Sequence, residues 1–213
     1  FFKIFEGNIT FKIPIYQRQY SWSTKHCKRM FDDILQVGKD VNSKSHFFGS
    51  IVYLASQHHN ATVQEMIVID GQQRLTSFML LLYSFYKEIN NKKLDIDISA
   101  DEIANIYLAN GYRQTEEEKQ KLVPTDTDAD TFKMILDGGD TDNLIDPSEN
   151  ILRNFTYFEK RVKALEDNLE PLWNGIKKLK HIDISLTEGL DNPQVIFDSL
   201  NSTGKELNEA DKI

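Results

Sequence analysis

Cysteine is almost missing from this sequence. A lone thiol, Cys27, among 213 residues excludes an internal disulfide and a cysteine-based zinc site. It suits a reducing, cytoplasmic setting. Long apolar runs are missing as well: no stretch of about 18 apolar residues occurs, so no membrane-spanning helix is expected. No basic-then-apolar leader opens the chain, and its two ends, FFKIFEGN and EADKI, read as cuts in a longer protein. A surplus of positive charge is lacking too. With 25 Lys and Arg against 33 Asp and Glu, the net charge of −8 argues against a surface built to coat nucleic acid. Neither a P-loop nor a Ser-His-Asp signature appears. His26, His46 and His181 are isolated, and His58-His59 lack metal-ligand spacing.

What remains is globular in composition, with 40% hydrophobic, 11% aromatic and 27% charged residues. A chain of this length buries a core without crosslinks. Its charge is uneven. Residues 1–98 hold 12 cations against 9 anions, whereas residues 99–213 hold 13 against 24. The first part can meet a polyanion while the second repels one, or the later helices simply have acidic solvent faces.

Residues 8–20, NITFKIPIYQRQY, alternate and contain Pro14, which reads as a short edge strand running into a loop. Ser23 or Thr24 then caps a helix with Cys27, Met30, Phe31, Ile34, Leu35 and Val37 on its buried face. FFGSIVYLA (47–55) and EMIVID (65–70) read as strands, the second apolar enough to lie inside a sheet. A strongly apolar helix follows from Arg74. Beyond residue 100, segments 100–110, 129–137 and 147–169 are helical by pattern, and Gly138-Gly139 stops one of them. Residues 179–188 alternate like another strand, and a short helix is expected near Asn192-Pro193. The expected fold class is α+β, a small mixed sheet with helices, elaborated by a helical region. One domain is expected over 1–213, with an α/β core part (1–98), a helical elaboration (99–178) and a return to the core (179–213).

Three segments could carry chemistry. In VIDGQQRLTSF (68–78), a buried strand delivers Asp70, Gly71 allows a tight turn, and Gln72, Gln73 and Arg74 open a helix. Free N–H groups, a helix dipole and a guanidinium converge there, which suits phosphate, and Asp70 could hold magnesium or orient a water. The plainer reading is an Asp that caps the helix and an Arg that pairs with it. In IPIYQRQYSW (13–22), Tyr16, Gln17, Arg18, Tyr20 and Trp22 offer stacking surfaces and hydrogen bonds to a base, or else pack beneath the next helix. In IFDSLNSTGKELNEADKI, Asn201, Ser202, Thr203 and Gly204 form a polar turn able to offer N–H groups to an anion, or a simple helix stop. Asp126, Asp128 and Asp130 imitate the start of a calcium loop, but Thr131 stands where glycine is needed; a carboxylate-rich helix start explains them better.

Taken in order, I-P-x-Y-Q-R-x-Y-x-W, F-G-S-I, I-D-G-Q-Q-R-L-T and F-x-x-L-N-S-T-G-x-x-L-x-x-A-D resemble domain-of-unknown-function family 262, the N-terminal domain of GmrSD-type modification-dependent restriction systems. The resemblance spans residues 11–213. It implies a ParB/sulfiredoxin-like core, nucleoside-triphosphate binding and, in several members, hydrolysis coupled to DNA cleavage in phage defence. On that resemblance Asp70, Gly71, Gln72, Gln73 and Arg74 form the phosphate and magnesium pocket, with Asp70 as metal ligand and Asp70 and Arg74 as catalytic residues. Tyr16, Gln17 and Arg18 line its mouth, and Asn201, Ser202, Thr203 and Gly204 close the far side. Expected partners are nucleotide, DNA, and a C-terminal HNH-type nuclease domain or partner subunit, since no His-Asn-His cluster lies in this sequence. The rival readings are a nucleotide switch without turnover and a module that reads modified DNA. Sulfiredoxin chemistry is not expected, because Cys27 falls on the buried face of the first helix.

Overall fold

The structure, a computed structural model, describes residues 1–56, 63–94, 96–111, 113, 115–187 and 195–196. Five strands form one mixed sheet: β1 (Ile9–Lys12), β2 (His46–Ala55), β3 (Gln64–Asp70), β4 (Leu122–Val123) and β5 (Leu179–Thr187), in the order β4-β1-β3-β2-β5. β1 runs parallel to β3 and β4, β2 runs antiparallel to β3, and β2 runs parallel to β5. The apolar EMIVID segment is therefore the central strand, as its composition demands. β1 is not an edge. The two-residue β4 covers it, and the Phe11 and Ile13 N–H groups donate to Lys121 and Val123 carbonyls.

The helices are α1 (Thr24–Lys39), α2 (Gln72–Lys92), α3 (Ala100–Glu102), α4 (Glu116–Lys119), α5 (Asp126–Leu136), α6 (Glu149–Lys163) and α7 (Glu170–Lys178). Cys27, Met30, Phe31 and Ile34 bury one stripe of α1, at the i, i+3, i+4, i+7 spacing of an amphipathic helix. α2 is different: every residue from Leu75 to Phe85 is buried, so it is the central helix of the core. The sheet residues Phe11, Ile51, Tyr53 and Val68 share its hydrophobic cluster with Ile151, Phe158 and Val162 of α6. Phe78 of α2 stacks on Phe5 at 6.1 Å and meets Phe1 edge-on at 4.9 Å.

Two further expectations are corrected. The 100–110 segment is one turn of α3 followed by a π-helical stretch, Ile103–Leu108, closed by the Ala109 N–H on the Ala104 carbonyl at 3.0 Å. The 147–169 segment ends at Lys163, and a separate α7 begins at Glu170 with Pro171 in its first turn. β4 had no pattern of its own. The His58-His59 loop, the 192–194 helix start and the turn at Asn201–Gly204 lie outside the described residues. No helix among the described residues is long and apolar enough to cross a membrane.

α1 and α7 touch backbone to backbone. A Cβ on Gly38 would meet the Pro171 carbonyl oxygen at 1.8 Å, and one on Gly175 would meet the Ile34 carbonyl oxygen at 2.0 Å. Gly175→Ala should therefore cost about 3 kcal/mol in urea unfolding, since the two helices must separate. Val41→Ala, at a side chain 90% exposed, should be nearly neutral.

Lys121 is 2% exposed, and its Nζ donates to the Gly7 carbonyl. Burial pulls its ammonium down to about 8. Between pH 8 and the ordinary lysine value, the unfolded chain holds a proton that the native state has lost, so this group's contribution rises with pH. Above pH 10 the buried phenols Tyr53 and Tyr107, pushed up to about 12, act in the opposite sense. The stability of wild type minus that of Lys121→Met should thus climb from pH 8 to 10 by about 1.4 kcal/mol per pH unit at most. A flat difference would show that Lys121 is not charged at a cost.

Candidate functional site

β3 ends at Asp70, and the chain turns through Gly71 into α2. Gly71 has φ +96°, and a Cβ there would lie 2.4 Å from Ile51 Cδ1 and 3.0 Å from the Ser50 carbonyl oxygen. Only glycine satisfies both demands. Leu75 N–H is the first in α2 to reach back, to the Gly71 carbonyl at 3.0 Å, and no side chain among the described residues caps the helix. The first-turn N–H groups of Gln72, Gln73 and Arg74 are left without intrahelical acceptors, at the positive end of a long helix.

Arg74 turns back over this turn. Its Nη2 lies 3.6 Å from Asp70 Oδ2, and its Nη1 donates to the Phe48 carbonyl at 3.4 Å. The guanidinium lies against Gly49, where an added Cβ would fall 1.5 Å from Nη1. Burial lowers the Arg74 pKa, offset in part by Asp70, so this cation is held partly desolvated beside one loosely placed carboxylate. Asp70 itself is 41% exposed at its side chain and faces open space.

These residues form one end of a cleft of about 1210 Å3. Its lining brings together Tyr16, Gln17, Arg18 and the whole of Asp70–Arg74, two segments more than fifty residues apart in the chain. Apart from Trp22, sequence reasoning missed the other two walls. One is the polar stripe of α1, with Trp22 ahead of the helix and His26, Arg29 and Asp33 along it; the other is the start of β2, His46 to Gly49. The stripe was legible as residues spaced i, i+4, i+7, i+11 opposite the buried face. Arg18, Arg29 and Arg74 outnumber Asp33 and Asp70 in the lining, so the cleft is locally cationic in an acidic chain.

The predicted residues divide by what their side chains touch. Arg18 is exposed and has no ion pair among the described residues, and Tyr16 is 54% exposed. Gln17 is buried, and its Nε2 donates to the Ile69 carbonyl at 2.9 Å. Gln73 Oε1 accepts from the N–H groups of Ser21 (2.8 Å) and Trp22 (3.1 Å), while its Nε2 donates to the Gln19 carbonyl (3.1 Å). Gln72 Nε2 donates to the Arg18 carbonyl at 3.3 Å, but its Oε1 is buried without a hydrogen-bond partner among the described residues. Tyr20 is core: its hydroxyl meets Ser77 Oγ at 2.6 Å and accepts from Asn154 Nδ2 at 3.0 Å. Cys27 is buried below it, its thiol pKa raised by burial.

The residues fit a hydrated magnesium brought in by phosphates. Asp70 offers a carboxylate, and the orphaned Gln72 Oε1 needs a donor such as a metal-bound water; magnesium keeps several of its waters and is held by one or two carboxylates plus phosphates. No group of three or more His, Cys, Asp or Glu among the described residues could hold a metal by itself.

Comparison with known proteins agrees with the motifs. The family described as GmrSD restriction endonuclease, N-terminal domain, matches residues 1–213. An uncharacterized protein of Methanocaldococcus jannaschii is 27% identical over 93 residues, covering 38% of this chain and 16% of that protein. The match thus spans about a sixth of that curated relative's length.

Gln73 gives a direct test of how the site is built. Gln73→Ala strands the Ser21 and Trp22 N–H groups and should cost about 2–4 kcal/mol in urea unfolding. Gln73→Leu, which fills similar space with neither polar atom, should cost nearly as much. A Gln73→Leu protein as stable as wild type would mean that the amide does not hold this segment.

Proposed function

The chain belongs to the GmrSD restriction endonuclease N-terminal domain family, and from that footing we propose that its cleft binds and hydrolyses a nucleoside triphosphate. The observation that carries this reading is the convergence of Arg18, Arg74 and the uncapped first turn of α2 on one end of the cleft, with Asp70 beside them. Phosphate oxygens accept from the Gln72, Gln73 and Arg74 N–H groups and from the Arg74 guanidinium, which exchanges its 3.6 Å contact with Asp70 for closer ones. Magnesium, when bound, neutralises charge on the terminal phosphates and lowers the pKa of a coordinated water. Asp70 holds that ion or orients the attacking water, and Gln72 Oε1 accepts from a water beside it. The water oxygen bonds to the γ-phosphorus as the bridging P–O bond breaks, its electron pair leaving on the diphosphate and the water's proton passing to solvent. Tyr16 and Arg18 flank the mouth. Where a domain of this family is joined to a nuclease domain or acts with a nuclease subunit, nucleotide turnover is proposed to govern cleavage of DNA.

A switch without turnover is a second reading. It is favoured by the amides of Gln72 and Gln73, which join the phosphate turn to residues 18–22, themselves tied to α6 through Asn150 and Asn154. A ligand at the turn would move that segment.

Phosphate release with magnesium, measured on wild type, Asp70→Ala and Arg74→Ala, separates these. Turnover in wild type should fall about a hundredfold or more in Asp70→Ala. In Arg74→Ala nucleotide affinity should fall by ten- to a hundredfold, as expected for a lost charged hydrogen bond. Equal background rates in all three would sink hydrolysis; nucleotide-dependent thermal stabilisation without turnover would leave the switch.

A further inference from the structure

The cleft is longer than its phosphate end. α1 begins beside the phosphate turn, since the Trp22 N–H donates to Gln73 Oε1 at 3.1 Å, and from Thr24 to Asp33 the helix advances about 14 Å at a rise of ~1.5 Å per residue. Both Trp22 and Asp33 line the cleft, so its α1 wall is a trough of at least that length. The span is that of an extended nucleoside triphosphate. Aromatic surfaces lie along it: Trp22 stacks on His26 at 5.6 Å and 21° between ring planes, and Phe47 on the facing strand is 60% exposed. At the far end sit Arg29 and Asp33, one helical turn apart, with Nε and Oδ2 at 3.8 Å. Arg29 is 87% exposed at its side chain and the pair is loose, so both heads are available to a ligand.

Resting on the nucleotide reading above, we propose that this far end selects guanine, with Asp33 accepting from the base's N1–H and amino group and Arg29 donating to O6 and N7. Guanine alone among the common bases presents a donor pair beside an acceptor pair, which an adjacent carboxylate and guanidinium match. Adenine offers one donor group flanked by acceptors, and neither a carboxylate nor a guanidinium there finds two partners. Phe47 offers the base a stacking surface, and Trp22, nearer the phosphate turn, lies along the sugar.

The test is equilibrium binding to the full chain of GTP, ITP, XTP, ATP and inorganic tripolyphosphate, comparing wild type with Asp33→Asn. Wild type should bind GTP about ten- to a hundredfold tighter than ATP or ITP, which lacks the amino group. Asp33→Asn should lose that margin and gain affinity for XTP, whose O2 accepts from an amide, while tripolyphosphate binding stays unchanged. GTP and ATP bound equally in wild type, or all nucleotides weakened alike in Asp33→Asn, overturns the guanine assignment with the phosphate end intact. Failure to bind tripolyphosphate and every nucleotide overturns both readings.

Discussion

An irregular stretch of chain, residues 18–22, runs between α2 and α6, and its backbone polar groups join no sheet or helix among the described residues. Buried N–H and C=O groups must be partnered or the fold loses kilocalories for each. Side chains do the work. Gln72 takes the Arg18 carbonyl; Gln73 takes the Gln19 carbonyl and the Ser21 and Trp22 N–H groups. Asp128 accepts from the Tyr20 N–H at 2.7 Å, Asn150 donates to the Tyr20 carbonyl, and Asn154 to that of Trp22. His26 Nδ1 accepts from the Ser23 N–H. This requirement fixes where α1 starts, how close α2 must come, and why α5 and α6 turn polar residues inward.

Asp128 illustrates the consequence. It lies in a run of carboxylates that resembles a cation loop, yet it is 2% exposed and also accepts from Thr125 Oγ1 and Ser148 Oγ. Its charge is met by hydrogen bonds, which is what a buried carboxylate needs. The acidity of residues 99–213 is thus partly structural and partly a solvated face. The cationic residues of the cleft come from the first hundred residues, where the charge balance is already positive.

Much of this was legible in the sequence, for physical reasons. Alternation and β-branching marked β2, β3 and β5, the i, i+3, i+4 stripe marked α1, and the glycine between Asp70 and Gln72 marked a turn no other residue could make. Other parts had no local signal. β4 exists because β1 supplies its partners, and α6 and α7 part at a turn without glycine, with Glu166 carrying φ +54°. The π-helical stretch differs from an α-helix by one residue per turn, which apolar periodicity over six residues cannot resolve. Two of the three segments that motif spacing singled out line one cleft. Spacing could not say that Gln17 and Gln73 face backbone while Arg18 and Asp70 face the cleft, because an amide carries the same signature whether it binds a ligand or a carbonyl.

That ambiguity bears on how such a site can act. In a phosphate loop built only of glycine and backbone, a ligand would be felt locally. Here the helix turn that offers its N–H groups also carries the amides that hold residues 18–22, and those residues lead directly into the α1 wall of the same cleft. A ligand that pulls on the first turn of α2 therefore pulls on Trp22, and through Asn154 on α6. One set of hydrogen bonds both builds the pocket and connects its two ends to the helical layer. On the proposed nucleotide reading, a small change in where α2 begins would be enough to couple them, with no moving lid.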